Sequence, residues 1–254
     1  MDRDFSAVER LKFNAKARIR LAMAKLQSAF KSAEAKADAR SAIFDGIYTS
    51  GKWGGDGSDG FFSGAGSRGD AAEQYCVEMG ARLKAMQDAL GRPLRVVDIG
   101  CGDFHIGRQL LSTVPDFHYT GCDIARSVIA KHSEDHAGER AAFRYLDIVT
   151  MKPPQADVIL IRQVFQHLSN AEILDALNNL PADTRIFVTE GQPEHPEGPL
   201  NPDKAAGSAI RFHWASGTGR GVELDKPPFS RRTERLFSFK VPPHEIVVTE
   251  ELFL

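Results

Sequence analysis

Short apolar runs alternate with stripes of helical period along most of this 254-residue chain. Val96, Val97 and Ile99 form one run, the mark of a strand buried on both faces of a parallel sheet. Four more follow: His118 to Ile124, Ala142 to Ile148, Asp157 to Arg162 and Thr184 to Thr189. The stretches between them carry helical patterns. His105 to Val114 places Ile106, Leu110, Leu111 and Val114 on one face, and Arg126 to Ala137 and Ala171 to Leu180 read the same way. Ala71 to Leu90 is a helix ahead of the first strand, ended by Gly91 and Pro93. Leu236 to Val241 and His244 to Leu254 are two terminal strands joined by Pro242 and Pro243. This alternation predicts an α/β fold, a mainly parallel sheet with helices on both faces.

Two segments stand outside that rhythm. In the first 40 residues Val8, Leu11, Ala15, Ile19, Ala22, Leu26 and Phe30 recur at helical spacing among Ala, Lys and Arg. Such a basic helix suits a membrane surface, a nucleic acid, its own domain or a neighbouring subunit; packing on the domain or across a homodimer is the plainer reading. Gly51 to Gly69 is rich in glycine and serine yet holds Trp53, Phe61 and Phe62. Large aromatics gain little by staying in water, so the loop is expected to be a lid rather than a linker.

Charge narrows the partners. The formal net charge is −2, which gives no broad field to draw nucleic acid. Cys76, Cys101 and Cys122 show no C-x-x-C spacing, in keeping with a reducing cytoplasm. No apolar run approaches the ~20 residues of a membrane span, and the N-terminus has no signal-peptide core. No metal is expected: His132 and His136 have i, i+4 spacing but no third ligand, and read as two surface histidines.

The chemistry concentrates at Asp98-Ile99-Gly100-Cys101-Gly102-Asp103-Phe104. Two glycines after a strand allow a tight turn and close backbone approach to a ligand, a nucleotide-type pocket at a strand's carboxyl end. A dinucleotide turn wants a third glycine where this chain has His105. Asp98, just before the turn, repels a pyrophosphate and suits a ligand with a positive centre and an amino group. An NAD(P)-dependent oxidoreductase is the alternative. Asp123 lies about 20 residues past the turn, where an acid either takes both ribose hydroxyls or caps the next helix. Asp147 ends the third strand and either meets a ligand or caps a turn. The long segment from Glu190 to about Thr218 carries Arg211, His213 and Trp214, which either line an acceptor pocket or ride a disordered excursion.

D-I-G-C-G-D-F resembles motif I of the class I S-adenosylmethionine (SAM)-dependent methyltransferases. W-G at Trp53 with S-G-x-G-S from Ser63 to Ser67 resembles the segment before motif I in a bacterial small-molecule and glycan subfamily. Arg162 to Ser169, with its H-L-S run, is similar to motif IV and its continuation, and Leu224 to Phe229 is similar to an L-x-x-P-P-F run of the same subfamily. The resemblance covers roughly Ile43 to Leu254. It implies a Rossmann-like seven-stranded sheet with one antiparallel strand near an edge. The chain would divide into an N-terminal helical extension (1–42), a lid loop and helix (43–93) and a SAM-binding core (94–254).

The resemblance also implies roles. Asp98, Gly100, Cys101, Gly102, Asp103 and Phe104 would face the methionine part of SAM. Asp123 and Ile124 would hold the ribose, Asp147 and Ile148 the adenine, and Arg162 and Gln163 would lie beside the methyl group. Trp53, Ser63, Ser67, Arg211 and Trp214 would bind substrate. His167 is either the general base or a capping and packing histidine, and the base role is the one expected here. The expected reaction is methyl transfer to an oxygen or nitrogen of a small molecule or sugar; a catalytically silent SAM-binding protein is a further alternative.

Overall fold

The structure is a computed structural model, and it describes residues 32–54 and 60–254 together with Ile19, Arg20, Ala22 and Met23. Most of the N-terminal extension, and with it the expected homodimer contact, lies outside the described residues, as do residues 55–59 of the expected lid.

Ser32 starts the first described helix, α1 (Ala33–Thr49), by accepting a hydrogen bond from the Ala35 N–H at 3.2 Å. The helix runs through the expected boundary at 42/43. A second helix, α2 (Gly69–Leu90), leads into β1 (Arg95–Ile99). Then α3 (His105–Thr113), β2 (His118–Asp123), α4 (Arg126–Asp135), β3 (Ala141–Tyr145) and β4 (Val158–Arg162) follow. After a short 3-10 turn (Phe165–His167), Ser169 opens α5 (Asn170–Asn179) with a capping box to Glu172, and β5 (Arg185–Pro193) completes the parallel set.

The main sheet has seven strands in the order β3-β2-β1-β4-β5-β10-β9, where β9 is Arg232–Val241 and β10 is Glu245–Phe253. Strands β1 to β5 are parallel; β10 runs antiparallel to both β5 and β9. β1 pairs β2 on one side and β4 on the other. The order therefore reverses between β1 and β4, which opens a crevice at their carboxyl ends where ligands of such sheets bind.

Both faces of the sheet are covered, which is why the central strands read as continuous apolar runs. Val97 and Ile99 of β1 and Ile159 and Ile161 of β4 pack against Ile173, Ala176 and Leu177 of α5. On the other face Val96, Val158 and Leu160 meet Tyr75, Met79 and Leu83 of α2 and Leu110 of α3. Met79, Leu83 and Leu110 are fully enclosed, each worth roughly 1.5–3 kcal/mol of burial.

The structure lengthens β5 beyond Thr189, because β10 supplies a hydrogen-bonding partner as far as Pro193, opposite Glu245. The segment from Glu190 to Thr218 is no disordered excursion. It folds into a small sheet of β6 (His195–Pro196), β8 (Thr218–Gly219) and β7 (Phe212–His213), in that order. That sheet covers the carboxyl end of the main one through contacts between β5 and β7.

Candidate active site

The turn after β1 is built by its glycines and by what crowds them. Gly100 has φ 77° and Gly102 φ 53°, both in the left-handed region. A Cβ at Gly100 would strike Val164, and one at Gly102 would strike the Ser63 hydroxyl. The backbone thus approaches both neighbouring segments more closely than any side chain permits. Asp123 braces the turn from β2: its carboxylate accepts from Gly102 N at 3.0 Å and from Ala125 N at 2.8 Å. His132 supports it from below, its Nε2 2.8 Å from the Gly102 carbonyl oxygen. His132 is buried rather than a surface residue, its ring packed on Phe104 and Phe143.

Two cavities meet at this turn. One, of about 80 Å³, is lined by Phe44, Asp123, Ile124, Leu146, Asp147, Ile148, Val149 and Leu168. The other, of about 220 Å³, is lined by Asp98, Cys101, Ser63, Ser67, Arg162, Gln166, Trp214 and Glu245, among others. Tyr48, Trp53, Gly100, Gln163 and His167 line both, so the cavities form one site with an apolar end and a polar end. Their combined size falls at the lower edge of the ~300–1,000 Å³ of small-molecule sites.

The polar end holds buried charge. Asp98 accepts from the Tyr119 hydroxyl at 2.7 Å, and burial pushes its carboxyl up to about 6 against the pull of that bond and of Arg162. Burial likewise lifts Asp123 to about 6. A cation in the site would restore the ionised form of both. Arg162, at the end of β4, lies over the Tyr75 ring, 5.1 Å from its centroid; its guanidinium donates to the Gly66 carbonyl at 2.5 Å and to Gln163 Oε1 at 3.2 Å.

His167 sits on the 3-10 turn with its ring 5.1 Å from that of Trp53 and 6.5 Å from that of Phe44. Its Nδ1 faces the Gly207 carbonyl at 3.2 Å, so that nitrogen carries the proton, and the unprotonated Nε2 accepts from Gln166 Nε2 at 3.4 Å. Burial, reinforced by the nearby Lys204, pushes the imidazole down to about 3. It is therefore neutral and weakly basic, which changes the expected role: the ordinary histidine range does not apply at this position.

The structure moves several other residues. Phe104, with φ 61°, lines neither cavity; its ring turns inward to Phe143 at 4.9 Å and Tyr119 at 5.2 Å. Arg211 is also outside the site. Its guanidinium donates to the Leu168 and Pro202 carbonyls and to Asn170 Oδ1, clamping the 202–211 segment to the start of α5. Asp147 lines the apolar cavity, but its carboxylate is filled by Arg40 (2.6 Å), Thr150 Oγ1 (2.9 Å) and Val149 N (3.2 Å). Asp103 lines the polar cavity and also accepts from His105 N at 3.1 Å, so a carboxylate already occupies the start of α3 where a pyrophosphate would sit.

Four contributors escaped the sequence. Tyr48 and Phe44 belong to a helix whose start lies far from any motif, and Glu245 belongs to the last strand. Glu190 is the most consequential. Buried at the middle of β5, its carboxylate accepts from three successive amides, Val164 N (3.1 Å), Phe165 N (2.8 Å) and Gln166 N (3.0 Å). Burial raises its carboxyl to about 7. Among the described residues, Glu194, His195 and His244 bring ligand atoms within 4.8 Å of one another, but Lys240 Nζ lies 2.7 Å from Glu194 and already neutralises it. No described helix is long and apolar enough to cross a membrane.

Comparison with known proteins agrees with this geometry. Residues 97–182 match a family described as "Methyltransferase domain". A malonyl-[acyl-carrier protein] O-methyltransferase of Bacillus cereus is 31% identical over 88 residues, 34% of this chain and 32% of that protein. The chain thus spans about a third of the curated relative it matches. Among solved structures, the methyltransferase domain of bacterial CtHen1-CN superposes with a TM-score of 0.51 at 15% identity, covering 73% of this chain and 100% of that one. A 1,6-didemethyltoxoflavin-N1-methyltransferase of Burkholderia thailandensis gives a TM-score of 0.48 at 17% identity, covering 89% and 92%. Residues 97–182, which carry the glycine turn at the switch point, thus resemble a methyltransferase domain, and the β3-β2-β1-β4-β5-β10-β9 sheet shares the fold of the domain superposed above.

Proposed function

We propose that this protein transfers a methyl group from SAM to an oxygen or nitrogen of a small molecule or sugar. The observation that carries the reading is the meeting of the two cavities at Gly100, with Asp98 on one side and Asp123 on the other. The apolar cavity suits an adenosine, with Ile124, Ile148 and Leu168 against the ring and Asp123 at the ribose. The polar cavity suits the methionine part, its amino group toward Asp98 and the turn. SAM, when bound, supplies an activated methyl on a sulfonium. The chain's own task is alignment of the nucleophile, which in principle supplies up to ~7–11 kcal/mol.

Gln163, with φ 55°, stands where the two cavities join and would lie beside the transferring methyl. Trp53, Ser63, Ser67 and Trp214 line the polar end, where the acceptor would enter. The name of the Bacillus cereus relative records O-methylation, in keeping with an oxygen acceptor. All three cysteines are free and buried, in keeping with a cytoplasmic location.

Calorimetry with SAM, S-adenosylhomocysteine and NADH tests the cofactor, and mass spectrometry of ligands retained on gentle purification followed by an acceptor screen tests the chemistry. Binding of both adenosyl ligands is expected. A protein that ignores them and binds NADH would overturn the proposal.

A further inference from the structure

The acceptor end of the site is rich in groups that accept hydrogen bonds. Glu245 is the first residue of β10, opposite Pro193 of β5. Because β10 runs antiparallel, its first residue lands at the carboxyl end of the parallel strands, beside the glycine turn. Glu245 is 6% exposed, and its carboxylate accepts from Trp214 Nε1 at 3.1 Å and Gln163 Nε2 at 3.4 Å, both neutral donors. Gly191 leaves the space the carboxylate occupies, since a Cβ there would strike Glu245 Oε1. Gln166, 5% exposed, lines the same cavity, and its Oε1 is buried with no partner. The Arg162 Nη atoms are spent on Gly66 and Gln163, while its Nε is buried with no hydrogen-bond partner. A ligand that completes the corner formed by Glu245 and Gln166 must bring N–H or O–H donors, whereas Arg162 Nε takes an acceptor.

We propose that Glu245, with Gln166 beside it, recognises the methyl acceptor through an amine or hydroxyl and takes up its proton. This rests on the methyltransferase reading above. In the step, the acceptor's X–H bond gives its proton to a Glu245 oxygen while the X lone pair forms the new bond to the methyl carbon. The carbon–sulfur bond breaks with its pair going to sulfur, which ends as a neutral thioether, and Glu245 returns the proton to water as product leaves. Burial raises the Glu245 carboxyl above the ordinary glutamate value, partly offset by Trp214 and Arg162, which favours proton uptake. His167, held near 3, is the weaker base of the two.

The test needs no acceptor. Sinefungin carries an ammonium-bearing carbon where SAM carries the methylsulfonium, so its extra donor points where the acceptor group would be. Calorimetry compares sinefungin with S-adenosylhomocysteine on the full chain. Wild-type protein should prefer sinefungin by tenfold or more. Glu245→Gln should lose most of that preference while holding S-adenosylhomocysteine within about twofold, and Gln166→Leu should lose part of it. Should Glu245→Gln misfold, the wild-type preference and the Gln166→Leu loss decide the matter. Equal binding of the two ligands by wild type, or an unchanged preference in the variants, overturns the role of Glu245 and leaves the cofactor reading standing. Failure of wild type to bind either ligand overturns both. On an acceptor found by screening, Glu245→Gln should lower kcat by ~10²–10⁴-fold with the KM for SAM unchanged.

Discussion

Ser63 and Asp103 hold each other twice. Ser63 N donates to Asp103 Oδ2 at 2.8 Å, and Asp103 N donates to Ser63 Oγ at 2.7 Å. Arg68 adds a third tie to the same carboxylate at 2.9 Å. The reciprocal pair fastens the glycine-rich loop to the cofactor turn across 40 residues of sequence. Ser63→Ala strands the Asp103 amide, so it should cost ~1–3 kcal/mol of stability in urea and weaken S-adenosylhomocysteine binding in calorimetry. Unchanged values for both would show that the loop is held elsewhere.

Arg40 and Asp147 form a buried ion pair at 2.6 Å, with 8% and 1% of their side chains exposed. Arg40 also reaches Glu172 at 3.3 Å, so one guanidinium joins α1, the end of β3 and the start of α5. Removing one partner leaves an uncompensated buried charge. Arg40→Ala should therefore destabilise by ~3–5 kcal/mol, and the double variant Arg40→Ala/Asp147→Ala by less than the sum of the singles. Additive losses in denaturant titrations would contradict the coupling.

His167 has a depressed value when folded, about 3 against 6.5 when unfolded. Between those values the unfolded chain binds the extra proton, so acidification favours unfolding by up to ~1.4 kcal/mol per pH unit. Asp98, Asp123 and Glu190 act in the opposite sense, since their raised values let the folded state bind protons first. The difference between wild type and His167→Gln isolates the histidine. The variant should lose less stability than wild type from pH 6.5 to 4.5, and the wild-type rate profile should lack an inflection that disappears in the variant. Parallel stability curves would place the imidazole in contact with solvent.

Trp53 lies between the Tyr48 and His167 rings, at 5.0 and 5.1 Å, and closes the junction of the two cavities. The expected lid thus covers the place where an adenosine would enter, and bound ligand should order it. Hydrogen exchange at residues 50–54 and 60–62 should slow when S-adenosylhomocysteine is added, whereas Ser63 to Ser67, already pinned, should change less. Trp53→Ala should impair turnover more than folding. Equal exchange with and without ligand, and normal turnover in the variant, would identify the stretch as a passive linker.

The parallel sheet was legible because strands buried on both faces cannot alternate with polar residues; Val96 to Ile99 and Val158 to Ile161 announce themselves. The glycine turn was legible because its backbone geometry excludes other residues. Contacts across long sequence separations left no local mark. Nothing near Asp147 points to Arg40, 107 residues earlier, and nothing near Gln163 points to Glu245, 82 residues later. Phe104 belongs to the glycine motif and Arg211 lies three residues before Trp214 of the polar cavity, yet one backbone angle turns Phe104 inward and three carbonyl and amide oxygens hold Arg211 away. Adjacency in sequence is weak evidence for adjacency in a pocket.

Glu190 shapes the segment after β4 through hydrogen bonds to its backbone amides. One carboxylate gathers three consecutive amides, and amides are the same whatever residue carries them. The instructions for the loop's path are thus written at position 190, while positions 164 to 166 are left open to rewriting. Val164 and Gln166 both face the site, so exchanging them would re-cut the walls of the pocket while its frame stays put. A scaffold of this kind can change its clientele one side chain at a time, and a substitution at 190 is the change that would undo every such variant at once.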